Sequence, residues 1–183
     1  MLLKQTERAN AMLARLSSFL RYTLINEPTA QVTLAQEVET LKLYLEIEKM
    51  RFEDRLRPHF RIDPATIGAR LPSLLLQPLI ENAIKYAVTP SESGADIWIK
   101  AERQGQGVRI EVADSGAGSA SGFTSHESTG VGLANIRDRL AQAYGAAHGF
   151  QTRQNEHGGF SVILDIPFEA RGRDNPEDMK DSE

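Results

Sequence analysis

Leu2, Leu3, Thr6, Ala9, Met12, Leu13, Leu16, Phe19, Leu20 and Leu24 recur at three- and four-residue steps, which predicts one helix over residues 1–26. No glycine or proline interrupts it. So long a stripe suits an α-hairpin or a dimer seam, and dimerisation is preferred to packing within one domain. Pro28 ends this element. Thr33 and Gln36 then form a capping-box pattern ahead of a second helix, about 33–52. Leu34, Val38, Leu41, Leu45 and Phe52 make one apolar face of it; Leu43, Ile47 and Met50 make another. A helix apolar on two sides is expected between layers.

Arg55–Asp63 reads as a strand, placed at an edge by Pro58. Pro72 is expected to open a third helix reaching about Val88. Two alternating runs follow, with Ile97, Ile99 and Ala101 on one face of the first and Val108, Ile110 and Val112 on one face of the second. Gln104-Gly105-Gln106-Gly107 joins them as a hairpin. A glycine- and serine-rich loop spans 115–130, and a fourth helix runs from about 131 to 144, stopping at Gly145. A last hairpin uses 149–155 and 159–167 and turns at His157-Gly158-Gly159. From 169 the chain has six acidic and three basic residues and little to bury, the pattern of a disordered tail. The sum is an α+β chain: an N-terminal helical segment, then a mixed, mostly antiparallel sheet with helices on one face, as a two-layer α/β sandwich.

Composition narrows the partners. With 21 basic and 25 acidic residues the net charge is −4, so no basic field favours nucleic acid. The chain has no cysteine, which removes disulfides and thiolate metal sites. No apolar run reaches the ~18 residues of a spanning helix. No membrane contact is expected of these residues, nothing in them points outside the cytoplasm, and a longer parent protein could still carry an anchor.

Three short stretches carry the candidate chemistry. In Gln77-Pro78-Leu79-Ile80-Glu81-Asn82-Ala83-Ile84-Lys85-Tyr86, Asn82 and Lys85 are three apart and share a helix face, with Tyr86 beside them. An amide oxygen can ligate Mg²⁺, a lysine adds a point charge for phosphate, and a tyrosine face can stack on adenine. Taken alone, an exposed helix face with a Glu81–Lys85 pair is the more ordinary reading. Asp114 directly follows the strand Val108–Ala113, where a carboxylate can accept from the adenine 6-amino group. Gly116 and Gly118 beside it allow positive φ and close approach of a base. Asp-Ser-Gly is also common turn chemistry. Gly130-x-Gly132 opens the fourth helix, whose free N–H groups would meet phosphates, unless the glycines serve packing alone. Rival phosphate motifs fail. Ser121 and Asn135 stand where a dinucleotide fingerprint needs its third glycine, no Gly-Lys pair offers a P-loop, and no Asp-Phe-Gly occurs.

In order and spacing, Glu81–Tyr86 resembles the N box of the GHKL superfamily, Asp114-x-Gly116-x-Gly118 its G1 box and Gly130-x-Gly132 its G2 box. More narrowly, the chain resembles the LytS/YehU-type sensor histidine kinases through Tyr44–Phe52, Leu76–Asn82 and Gly130–Leu140, the likeness running from about residue 16 to 168. The resemblance implies the Bergerat ATP-binding fold, Mg²⁺ and ATP as cofactors, a homodimer through the N-terminal helix, and phosphorelay to a response-regulator aspartate. It divides the chain into a partial helical dimerisation and linker segment, 1–54, an ATP-binding catalytic domain, 55–168, and the tail, 169–183. It also implies a cytoplasmic unit of an inner-membrane sensor.

Carried over, Asn82 would hold Mg²⁺ and Lys85 would touch phosphate, the two acting as the catalytic pair. Tyr86 and Asp114 would meet the base, and Gly116, Gly118, Gly130, Gly132 and Leu133 would shape the pocket. Asn135 and Arg137 would be contacts from the helix beyond the lid, residues 119–129. Two departures stand out. Tyr86 replaces a histidine frequent in the subfamily. Pro78 stands four residues before Asn82, where ATPases of the superfamily place a base, so slow hydrolysis is expected. The four histidines, His59, His126, His148 and His157, all lie outside the first two helices. Pro58-His59-Phe60 looks like the subfamily's acceptor string but continues Arg-Ile-Asp, and sits in an expected strand. The expectation is ATP binding without autophosphorylation, the acceptor lying upstream. Two rivals are a non-catalytic nucleotide-sensing or dimerisation module and a GHKL serine kinase of the anti-sigma type; Tyr44–Glu48 argues against the latter.

Overall fold

The computed structural model describes residues 30–116, 129–155 and 158–168, together with Asn10, Leu13, Ala14, Ser17 and Leu20. Those five are helical, with Leu13 63% and Leu20 48% exposed; the rest of the helix expected over 1–26, the loop 117–128 and the tail from 169 lie outside the described residues.

From Ala30 onward the described residues form a short strand, β1 (Gln31–Thr33), and a long helix, α1 (Leu34–Phe52). The capping box forms as the sequence requires: the Thr33 hydroxyl accepts from the Gln36 N–H, and the Gln36 side chain accepts from the Thr33 N–H. The strand β2 (Leu56–Ile62) follows, then β3 (Arg70–Pro72), which pairs antiparallel with β1. Here the expectation fails. Pro72 does not open a helix; it closes β3 opposite Gln31, and the following N–H, of Ser73, donates to the Ala30 carbonyl. The helix α2 begins at Gln77 with Pro78 in its first turn and is α-helical only to Ala83. Residues Ile84–Val88 continue as a wider π turn, closed by Thr89 N–H donating to the Ile84 carbonyl.

The hairpin β4 (Ala95–Gln104) and β5 (Gly107–Asp114) follows, turning at Gly105 with φ +57°. The helix α3 (Thr129–Tyr144) starts two residues before its expected first residue and stops at Gly145, φ +57°. The strands β6 (Gly149–Gln154) and β7 (Phe160–Pro167) close the fold. The main sheet has order β2-β4-β5-β7-β6, with β2 parallel to β4 and every other pair antiparallel. Its Pro58 lies on the edge strand, where a missing N–H breaks no ladder on the inner side.

Alternation splits the sheet. Ile97, Ile99, Ala101, Val108, Ile110, Val112, Val162, Leu164 and Ile166 point to one side, where they join buried residues of all three helices. The other side is polar. Arg57–Asp96 at 3.0 Å, Lys100–Glu111 at 3.1 Å, Arg153–Glu111 at 3.3 Å and a two-pronged Arg109–Asp165 contact run across it. The α1 residues Leu34, Val38, Leu41, Leu45 and Phe52 belong to the same core as the sheet, so the core runs across the 54/55 boundary expected from the resemblance. The second face of α1, Leu43, Ile47 and Met50, is half-buried.

Candidate functional site

A narrow cleft, open to solvent, lies on the helical side of the sheet between α2, α3, β5 and β7. Leu79, Ala83, Val112, Leu133, Phe160 and Val162 form apolar walls; Asn82 and Asp114 supply its polar groups. An apolar slot with two convergent polar side chains suits a flat heteroaromatic ring with one polar edge and a charged extension.

Asp114 ends β5 and is only 7% exposed. Its Oδ1 accepts from the Gly116 N–H at 2.9 Å, and the Phe160 N–H also donates to the carboxylate. Burial nevertheless raises its pKa above the ordinary 3.8, the two N–H groups opposing the shift. Next to it, Ser115 fastens the turn to β4: its N–H donates to the Asp96 carbonyl, and its hydroxyl accepts from the Asp96 N–H.

Gly116 is glycine for a different reason from the one expected. Its φ is not positive. A Cβ there would sit 2.7 Å from the Ala87 Cβ and 3.0 Å from the Ala87 Cα, so the turn is pressed against the π turn after α2. Gly159 needs both freedoms. It has φ +86°, and a Cβ would fall 1.9 Å from the Asp114 carbonyl oxygen. The sequence marks Gly158-Gly159 only as a hairpin turn; its packing on Asp114 follows from the β5–β7 pairing, which no local pattern displays.

Asn82 is half-buried near the end of α2. Gly130 and Gly132 both lie within the first turn of α3 rather than ahead of it, among the N–H groups that have no partner inside the helix. A Cβ on Gly132 would be 3.8 Å from Asn82 Nδ2, an ordinary contact, so packing alone does not demand glycine; its absence leaves space beside the amide. Leu133 lines the cleft. Lys85 and Tyr86 fall in the π turn, where the pitch is wider than in the plain helix expected. Neither lines the cleft; the Lys85 ammonium sits 4.9 Å from the Tyr86 ring centre. Asn135 and Arg137 are exposed on α3, with Arg137 stacked 5.0 Å from the Phe150 ring centre. Gly118 lies outside the described residues. Glu81 faces solvent and accepts from Gln77 at 2.7 Å, rather than pairing with Lys85.

Of the histidines, His59 lies on the polar side of the sheet. Its Nε2 is 2.7 Å from Asp96 Oδ1, and its ring stacks on Trp98. His148 Nδ1 meets the Gly145 carbonyl at 2.6 Å. His126 and His157 lie outside the described residues. Among the described residues no three acidic, histidine or cysteine side chains gather as a metal cluster, so a cation at this cleft would rest on the Asn82 amide and on its own ligands. The residues present fit such a group in kind, since Asn82 lines the cleft with a side-chain amide, whose oxygen can ligate a hard cation.

One buried arrangement escaped the sequence reading. Glu37 in the first turn of α1 is 1% exposed, and its carboxylate accepts from the N–H groups of Leu74 at 2.9 Å and Leu76 at 2.8 Å. Arg139 of α3 donates to the Ser73 carbonyl and, at 3.2 Å, to that of Leu74. The clue was present: Glu37 sits three residues after Leu34 and four before Leu41, an acid on the buried stripe.

Comparison with known proteins agrees with this geometry. The histidine kinase family matches residues 1–56, and the family of histidine kinase-, DNA gyrase B- and HSP90-like ATPases matches residues 69–170. Sensor protein LytS of Enterococcus faecalis is 29% identical over 180 residues, covering 93% of this chain and 31% of LytS. Sensor histidine kinase BtsS of Escherichia coli is 32% identical, covering 90% of this chain and 29% of BtsS. Sensor histidine kinase YesM of Bacillus subtilis is 33% identical, covering 89% and 28%. The chain thus spans less than a third of these relatives. Among solved structures, the catalytic domain of histidine kinase ThkA superposes with TM-score 0.58 at 21% identity, covering 75% of this chain and 94% of that domain. Histidine kinase AdeS of Acinetobacter baumannii also gives 0.58, at 20% identity, covering 92% and 83%. At such identities the likeness is one of fold.

Proposed function

The chain belongs to the histidine kinase-, DNA gyrase B- and HSP90-like ATPase family, as the ATP-binding catalytic region of a sensor histidine kinase, and on that premise we propose that its cleft binds Mg²⁺-ATP through Asp114 and Asn82. The observation that carries this reading is the convergence of a buried carboxylate and a half-buried amide on one apolar slot. When bound, Mg²⁺-ATP supplies the γ-phosphoryl group, passed first to a histidine and then to a response-regulator aspartate. The residues of this chain bind and orient. Asp114 accepts from the adenine 6-amino group, which guanine lacks. Leu133, Phe160 and Val112 exclude water from the ring. Asn82 offers its amide oxygen to the metal, and Lys85 reaches the phosphates from the exposed rim. The free N–H groups at the start of α3 face the same negative charge. Catalysis then rests on positioning and charge neutralisation.

No described residue acts as a water base beside Asn82: Pro78 lacks the chemistry, and Glu81 points to solvent. Slow hydrolysis follows, which suits a kinase that keeps its phosphoryl group for histidine. Homodimerisation through the N-terminal helix and a response-regulator partner complete the proposal. No helix among the described residues is long and apolar enough to cross a membrane. Calorimetry with a non-hydrolysable ATP analogue tests the site. Binding should strengthen with Mg²⁺ and vanish in Asp114→Asn. Absence of binding by well-folded wild type would leave the non-catalytic module as the better account.

A further inference from the structure

The lead-in to α2, Ser73-Leu74-Leu75-Leu76, is gripped from two sides by groups outside it. Glu37 takes its N–H groups: Oε2 accepts from Leu74 and Oε1 from Leu76, and the Leu75 N–H also points to the carboxylate. Arg139 takes its carbonyls, those of Ser73 and Leu74. Leu74 has φ +57°, a left-handed backbone that a leucine rarely adopts, and its own N–H and carbonyl are both held by this pair. The α2 helix has no side-chain cap of its own; Glu37, on a different helix, takes the N–H of Leu76, its N-cap residue. Both charged groups are taken from water for this. Burial pushes the Glu37 carboxyl up and the Arg139 guanidinium down, each partly offset by the other's charge.

The geometry ties this clamp to one wall of the cleft. Asn82 is six residues along from Leu76 on the clamped helix. Gly132 and Arg139 are seven residues apart, two turns, so they share a face of α3. That face meets α2 at both ends: Gly132 beside Asn82, and Arg139 at the 73–74 carbonyls. Tyr144, five residues further, donates its hydroxyl to the Arg70 carbonyl of β3. The opposite wall rests mainly on other elements. Asp114, Gly159 and Phe160 hold each other through β5 and β7, and no hydrogen bond described for them reaches the clamp; their one touch on the continuation of α2 is the packing of Gly116 on Ala87.

We propose that Glu37 and Arg139 are positioning residues of the nucleotide cleft: by gripping residues 73–76 from opposite sides they fix α2 against α3, and so set where the Asn82 amide stands relative to Gly132. This rests on the nucleotide reading above. It assigns work to two residues that touch neither base nor phosphate, and it links the first turn of α1, through residues 74–76, to the wall that carries Asn82. Ligand-orienting partners of this kind change metal affinity by about 10- to 100-fold when altered.

A split between two ligands tests it. Affinity is measured for a Mg²⁺-bound, non-hydrolysable ATP analogue by calorimetry, and for adenosine by chemical-shift change at the Gly116 amide. The proteins are wild type, Glu37→Gln, Arg139→Met and the milder Arg139→Lys, which keeps the charge but not the fork that spans two carbonyls. The expected result is analogue binding weakened about tenfold or more by Glu37→Gln and Arg139→Met, with Arg139→Lys between these and wild type. Adenosine should change by less than about twofold, since its wall shares no hydrogen bond with the clamp and meets the clamped helix only beyond its far end, at Ala87. If the more severe variants do not fold, Arg139→Lys carries the comparison. Equal loss for both ligands, or loss of thermal stability with neither affinity changed, would overturn the proposal and leave the clamp as a fastening of the fold alone. Wild-type protein that binds neither ligand overturns the nucleotide reading itself, and the positioning role with it.

Discussion

At Asp114 two requirements pull against each other. A base reader must be shielded from water to discriminate, and shielding makes its charge costly. Two backbone N–H groups ease the conflict without removing it, so the carboxyl stays above its ordinary pKa of 3.8. In the role proposed for it, the ionised carboxylate is the stronger acceptor for the adenine amino group, since protonation turns one oxygen into a donor. Affinity for an ATP analogue should therefore fall as pH drops through that raised value, starting at a higher pH than a surface aspartate would give; calorimetry from about pH 8 to pH 4 reads it. Retention of full affinity down to the range of an exposed carboxylate would contradict the role. Gly116 gives a second test. Gly116→Ala drives a Cβ onto Ala87, a clash with backbone close behind it, and should cost about 1–3 kcal/mol in chemical denaturation. Adding Ala87→Gly should return part of that loss, as non-additivity between touching residues. The aspartate was legible because a carboxylate and glycines at a strand end make a local pattern. The reason for the glycine was not, because Ala87 belongs to another element. Glu37 was legible only as an oddity, since its partners lie 37 and 39 residues away.

Among the elements, those with long periodic patterns were read correctly: α1, the β4–β5 hairpin, α3 and the final hairpin. Two features were not. The β1–β3 ladder has three residues on each side, too few to show alternation, and its Pro72 imitated a helix start that Pro78 supplies. The π turn is one residue of slack inside a helical pattern, and 3.6-residue periodicity passes over it. That slack bears on the site, because Ala87, which Gly116 packs against, lies within it. The capping box makes α1 open to a simple check. Thr33→Ala removes the hydroxyl that accepts from Gln36 and should lower stability by about 1 kcal/mol, read as a shift in urea midpoint with unchanged slope. A midpoint equal to wild type would mean that the start of α1 is held by its other contacts, among them Leu34 N–H to the Ala69 carbonyl and Ala35 N–H to that of Ile67.

For the whole molecule, the sheet is a partition. The cleft opens on the helical side, and His59 stands on the polar side, engaged with Asp96 and Trp98. A bound γ-phosphoryl group and His59 of the same chain would have the sheet between them. Incubation of this chain with γ-labelled ATP should therefore leave no acid-labile, base-stable label on the protein, while a supplied acceptor helix should become labelled. Label on the chain alone, lost in His59→Gln, would refute this.

The continuity of the core across residues 54 and 55 bears on how such a protein could be recombined. A gene spliced between α1 and β2 would part Leu34, Val38, Leu41 and Leu45 from the strands they cover, and would strip Glu37 from the backbone it holds. Such a seam yields two halves that are each sticky and incomplete. A seam upstream of Ala30 spares both the β1–β3 ladder and the buried stripe of α1. A recombination that keeps this core whole is thereby confined to the N-terminal side of that ladder, with α1 travelling with the strands it covers.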